Sequence, residues 1–192
     1  MLYLVLGLVV FLGTHSLRIG GDARRDALRA SLGEGRFKAA YSLLSVAGFL
    51  LVIYGFGVAR ETPVLLWTPP AGMRHLTFLL TLISMVLMVA AYVPRNAIRA
   101  RLHHPMVLSV KVWALAHLVA NGTLAHLVLF GGFLVWSVLV FRASRQRVRA
   151  LETVYPAGQA IPTAITAGLG LVLWLVTFGW LHGILIGVRL MG

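Results

Sequence analysis

Residues 106–141 read MVLSVKVWALAHLVANGTLAHLVLFGGFLVWSVLVF. The stretch carries one charged side chain, Lys111, and one turn dipeptide, Asn121-Gly122. A membrane-spanning helix needs about 20 mostly apolar residues. The stretch therefore reads as two spans, 106–121 and 123–141, folded back on each other at the Asn-Gly turn. Working outward, further apolar runs occur at about 2–18, 40–59, 75–93 and 166–188. The expected fold is all-α: a polytopic membrane helical bundle of about six transmembrane helices. No connection is long enough for a soluble domain and no internal repeat stands out, so 1–192 reads as a single integral-membrane domain. The first run has no basic residue before it and no small-x-small cleavage site, and reads as an uncleaved helix.

Composition agrees. Hydrophobic residues make up 59% and charged residues 11%, against roughly 45–50% and 25% in a soluble domain. There is no cysteine, which excludes disulfides, thiolate zinc sites, iron–sulfur clusters and a cysteine nucleophile. The acids are Asp22, Asp26, Glu34, Glu61 and Glu152, all in polar stretches. No carboxylate is therefore placed in the membrane for a proton relay or an acid/base pair. The ionisable side chains left among the apolar runs are histidines and Lys111.

Thirteen of the 17 Lys and Arg residues fall in alternate connections, 18–38, 94–105 and 142–165. The opposite side holds Arg60, Arg74 and Arg189. By the positive-inside rule the thirteen face the cytoplasm of a bacterial inner membrane and both termini face the periplasm. The net charge of +12 then reflects topology and contact with anionic lipid, not nucleic acid. The lipid bilayer is the expected partner, and the oligomeric state is open.

Helical rise of about 1.5 Å per residue converts position into depth. His15 lies roughly 7 Å inside a boundary near Gly20, and His117 roughly 9 Å inside one marked by a snorkelling Lys111. On that choice both occupy one layer; if the helix enters at Met106, His117 lies roughly 17 Å deep and the match fails. His103 and His104 fall at the interface, and His75, His126 and His182 toward the outer side. Pro105, Ser109, Trp113, His117 and Asn121 recur every four residues and line one helix face. Gly179, Gly183 and Gly187 form a small-xxx-small ridge that reads as helix packing. A buried imidazole needs a partner. It can hydrogen-bond a neighbouring helix, relay protons, or ligate a metal or haem. Two on one layer would suit the opposite faces of a haem, with Phe11, Trp113, Trp174 and Phe178 available as walls.

The stretch His104-Pro105-Met106, then Trp113-Ala114-Leu115-Ala116-His117 and Asn121-Gly122, resembles the NnrU family, as does Phe11-Leu12-Gly13-Thr14-His15-Ser16-Leu17-Arg18. The resemblance covers essentially the whole chain. One departure is His103, where the family usually has arginine. The family takes its name from a denitrification locus linked to nitrite and nitric oxide reductases. It is similar to the plant zeta-carotene isomerase, a haem b membrane enzyme that turns a central cis double bond trans. Carried over, that enzyme's haem-associated histidines fall on His15 and His117. A cysteine implicated in its ligand chemistry falls on Ala114, so thiolate ligation cannot occur here. The resemblance thus implies haem b held by His15 and His117, an apolar polyene substrate, and cofactor contacts from Trp113, Arg18, Lys111 and His104. Arg18, Arg99, Arg101, His103 and Lys111 are then candidates to neutralise haem propionates.

Several functions fit these residues. The resemblance implies a haem-dependent cis–trans isomerase, or a non-catalytic electron carrier or assembly factor for nitrogen-oxide reductases. His104-Pro105 also faintly resembles the Arg-His-Pro signature of isoprenylcysteine-type membrane methyltransferases, although the arginine and an acid for the cofactor ribose are missing. A scaffold whose histidines only hydrogen-bond helices is the remaining reading.

Overall fold

Small residues decide how the first helix packs. α1 (Leu2–His15) lies antiparallel against α3 (Glu34–Glu61), pairing Leu4 with Gly55, Gly7 with Val52 and Phe11 with Gly48. A Cβ added at Gly7 would stand 2.6 Å from the Val52 nitrogen, and one at Gly48 would stand 2.7 Å from the Phe11 nitrogen. A Cβ at Gly55 would strike the backbone of Leu4. Lipid removes the hydrophobic drive between helices, so close backbone approach at small residues supplies the packing. These positions come from a computed structural model that describes residues 1–20, 22–188 and 190. Arg189, assigned above to the outer side, lies outside the described residues.

The described residues form helices and connections, with isolated bridges at Leu65–Thr123 and Asn96–Gln159. After α1 and the polar α2 (Asp22–Leu32) come α3, α4 (Met73–Ala90), the short α5 (Ala97–Leu102), α6 (Pro105–Ala120) and α7 (Leu124–Ala150). α8 (Ala160–Val176) continues through a π-helical turn, Thr177–Leu181, into α9 (His182–Ile186). Four helical stretches are long and apolar enough to span a membrane: Glu34–Glu61, Met73–Ala90, Leu124–Ala150 and Ala160–Ile186. α1 and α6 are shorter apolar helices of 14 and 16 residues. All six lie where the apolar runs place them, and the chain is an all-helical membrane protein.

The helices group into two compact units, each made of two stretches of chain. The first comprises Met1–Ala71 and His117–Glu152. Within it the Asn121-Gly122 turn is clamped by the connection after α3. The Leu66 and Trp67 amides donate to the Gly122 carbonyl at 2.8 and 3.1 Å, and the Leu124 amide donates to the Val64 carbonyl at 2.9 Å. A Cβ on Gly122 would collide with the Trp67 carbonyl, so glycine here serves close approach as well as the turn. Thr123 caps α7 by accepting from the His126 amide. At the other end of α7, Arg147 donates to the Arg18 carbonyl at 3.1 Å and pairs with Asp22 at 3.3 Å, which tethers α2.

The second unit comprises Gly72–Ala116 and Thr153–Gly192. Its close approach is at Gly170 on α8, where a Cβ would lie 2.7 Å from the Val86 Cα on α4. The Trp174 indole donates to Thr81 Oγ1 at 3.0 Å, and Phe78 meets Phe178 edge-on at 4.7 Å. Of the expected ridge, Gly179 lies in the π-helical turn and Gly183 in α9. Gly187 ends α9 at φ 77°, the left-handed cap conformation that favours glycine.

Candidate functional site

His15 is the last residue of α1. Its Nδ1 stands 2.7 Å from the Phe11 carbonyl, four residues back. A carbonyl can only accept, so Nδ1–H is the donor, and in the neutral form of that tautomer the lone pair is on Nε2. That is the tautomer and tether expected of a ligating imidazole. The ring lies 4.4 Å from Phe11, 5.5 Å from Tyr41 on α3 and 6.4 Å from Trp136 on α7, centre to centre. The Trp136 Nε1 is buried and has no hydrogen-bond partner among the described residues. His15 also lines a cavity of about 450 Å³ with Arg18, Arg25, Phe37, Lys38 and Tyr41. Three of these side chains are cations, and none of the lining residues is an acid.

The antiparallel pairing explains this gathering. With Phe11 opposite Gly48, one further turn of α1 carries His15 toward the N-terminal turns of α3, where its ring lies 5.5 Å from that of Tyr41. The first turns of α3 then bring Phe37 and Lys38 to the same mouth, while α2 delivers Arg25, whose guanidinium lies 5.8 Å over the Phe37 ring.

His117 belongs to the first unit as well, but at another level. Its ring stacks on Phe130 at 4.5 Å, and Phe130 in turn stacks with His126 at 6.0 Å. Thr123 Oγ1 lies 2.6 Å from His126 Nδ1, and Arg60 lies 5.0 Å over Phe56, which meets the His126 ring edge-on. The residues of α7 that contact His117 and His15, Phe130 and Trp136, are six positions apart, about 9 Å along the helix. Phe11 and Phe133, 6.0 Å apart, occupy the level between. The shared layer expected from Lys111 is therefore not the described arrangement. The reason is the start of α6 at Pro105, with proline at the first helical position. Counted from there His117 is about 18 Å along the helix, in its last turn.

Trp113, Lys111 and His104 lie in the second unit, as do Trp174 and Phe178. His104 accepts the Leu108 amide at 3.2 Å through its carbonyl and so opens α6. His103 stacks on Tyr155 at 4.2 Å, and Arg99 donates to the Ala91 carbonyl at 3.2 Å. Of the residues expected at a cofactor, the first unit holds His15, His117 and Arg18. The polar face of α6 is partly structural. Buried Ser109 and Ser84 exchange side-chain-to-carbonyl hydrogen bonds of 2.8 and 2.9 Å. Ala114 is fully buried too. Neither the motifs nor the depth of the histidines singles out Arg25, Phe37, Lys38, Tyr41 or Trp136 as neighbours of His15. The spacing of Gly7, Gly48 and Gly55 is the signal that pairs the two helices and brings most of them there. Among the described residues, no group of three or more His, Asp or Glu side chains is placed to hold a metal ion.

The model of a family described as NnrU protein matches residues 3–190. The chain belongs to the NnrU family. The match covers both units and includes His15, His117 and every cavity residue named above. No curated protein and no solved structure matches this NnrU protein.

Proposed function

We propose that this NnrU protein is a haem b-binding integral membrane protein in which the His15 imidazole would hold the iron. One observation carries the reading: His15 is tethered through Nδ1 to the Phe11 carbonyl, which leaves Nε2 as the ring atom for a ligand, beside a cavity lined by three cations. The surroundings suit the group. Phe11, Tyr41 and Trp136 offer aromatic walls, and the Trp136 N–H is a donor in want of an acceptor. His117 is the second ligand implied by the family's similarity to zeta-carotene isomerase. The two rings contact α7 residues six positions apart, so a shared iron would need one of them to move. Bound haem would supply a redox-active iron; the chain's own part is to hold it, exclude water and neutralise its carboxylates.

The activity proposed for that site is cis–trans isomerisation of an apolar polyene, in an inner-membrane protein with both termini periplasmic. Non-catalytic haem carriage, serving nitrogen-oxide reductases, is the second reading, favoured by one feature: three cations line the His15 cavity. A cis-polyene assay on haem-loaded protein separates the two. The cofactor itself is tested by the visible spectrum of protein purified after haem-replete expression. A Soret band that is lost in His15→Ala is the expected result; colourless wild-type protein refutes the reading.

A further inference from the structure

The cavity beside His15 has a chemistry of its own. Arg18, Arg25 and Lys38 line it with the hydroxyls of Tyr41 and Ser42. Their acidic partners lie outside it. Arg18 pairs with Asp22 at 2.8 Å, Arg25 with Asp26 at 3.4 Å and Lys38 with Glu34 at 2.7 Å. These pairs are solvent-exposed and so hold their cations weakly. Glu34 is shared between Lys38 and Arg29, and Asp22 between Arg18 and Arg147. Positive charge therefore exceeds negative charge around the mouth, while His15 and Phe37 line the same cavity. An imidazole, an aromatic wall and a cluster of cations within about 450 Å³ suit an amphiphile with an apolar body and anionic ends.

We infer that Arg25 and Lys38, with Arg18, bind the two carboxylates of the haem whose iron His15 ligates. This rests on the haem reading above and adds the anchoring residues to it. Arg25 and Lys38 come from α2 and the start of α3, segments joined to α1 through its Gly7, Gly48 and Gly55 contacts with α3. The spacing of α1 and α3 thereby sets the distance from ligand to anchor. Charge-assisted hydrogen bonds to carboxylates are the stronger class, and their loss falls on affinity rather than on the ligand field.

The test is titration of apo-protein in nanodiscs with haem b and, separately, with haem dimethyl ester, read by absorbance. For wild type we expect haem b to bind at least about tenfold more tightly than the ester, a difference of about 1.4 kcal/mol. Arg25→Gln/Lys38→Gln should lose that preference while keeping the wild-type Soret position, and Arg25→Lys/Lys38→Arg should restore most of it. Equal affinity of wild type for acid and ester, or a double Gln variant that still prefers the acid, overturns the inference and leaves the haem reading standing. Wild-type protein that takes up neither form overturns both.

Discussion

At the scale of the residue, His15 and His117 are chemically alike and placed differently. His15 has its proton fixed on Nδ1 by the Phe11 carbonyl; His117 lies flat on Phe130 in a cluster with His126. If both ligate the same iron, His117→Ala should convert a six-coordinate, low-spin spectrum into a five-coordinate one with haem retained, whereas His15→Ala should lose the haem. Electron paramagnetic resonance of the ferric protein checks this, and an unchanged low-spin signal in His117→Ala would exclude His117 as a ligand. The sequence motif singles out His15 readily, because Phe11-Leu12-Gly13-Thr14-His15 contains the ring and the carbonyl that tethers it. It says nothing of Trp136, whose approach to His15 depends on the packing of α7.

At the scale of the element, glycine does what hydropathy cannot reveal. Gly7, Gly48 and Gly55 set the backbone contact of α1 with α3, and neither helix has a strongly one-sided pattern to announce it. Overpacking a tight interior costs about 1–3 kcal/mol and occasionally more. Gly48→Leu should fall at the upper end because the obstacle is backbone rather than a movable side chain. Gly13→Leu, with no atom within 4 Å of its Cβ position among the described residues, should be nearly neutral. Thermal unfolding in detergent, followed by circular dichroism, ranks the two; equal midpoints would contradict the packing. The α6–α7 hairpin is legible in the sequence because Asn121-Gly122 is a strong turn signal. The start of α6 is legible to within one residue, since the apolar run begins at Met106 and Pro105 takes the first helical position. The π turn is hidden: Thr177–Leu181 differs from its flanks in backbone register and not in apolar character.

At the scale of the whole molecule, the division of charge follows from sequence alone, since counting arginines by connection needs no packing. The sidedness it implies can be checked cleanly because the chain has no cysteine. Ser31→Cys should react with a membrane-impermeant maleimide only after cells are opened, and Thr68→Cys in intact spheroplasts; the reverse pattern would invert the topology. The tether of α2 adds a pH dependence. The hydrogen bond from Arg18, helped by the charges of Arg147 and Arg25 and opposed by burial, holds the Asp22 carboxyl below its ordinary 3.8. A lowered carboxyl pKa contributes stability above the ordinary value and loses it as pH falls through the shifted one. Hydrogen exchange in α2 should therefore quicken on acidification below 3.8. Asp22→Asn should exchange faster at neutral pH and lack that transition; an identical profile in both proteins would show that the carboxylate does not secure α2.

The most direct measurement is the oxidised and reduced visible spectrum of the purified full-length protein, alongside its His15→Ala variant. A Soret band with sharp reduced bands in wild type, absent from His15→Ala, is the predicted result. A colourless wild type, or a His15→Ala variant with the wild-type spectrum, would contradict the assignment of His15 as haem ligand.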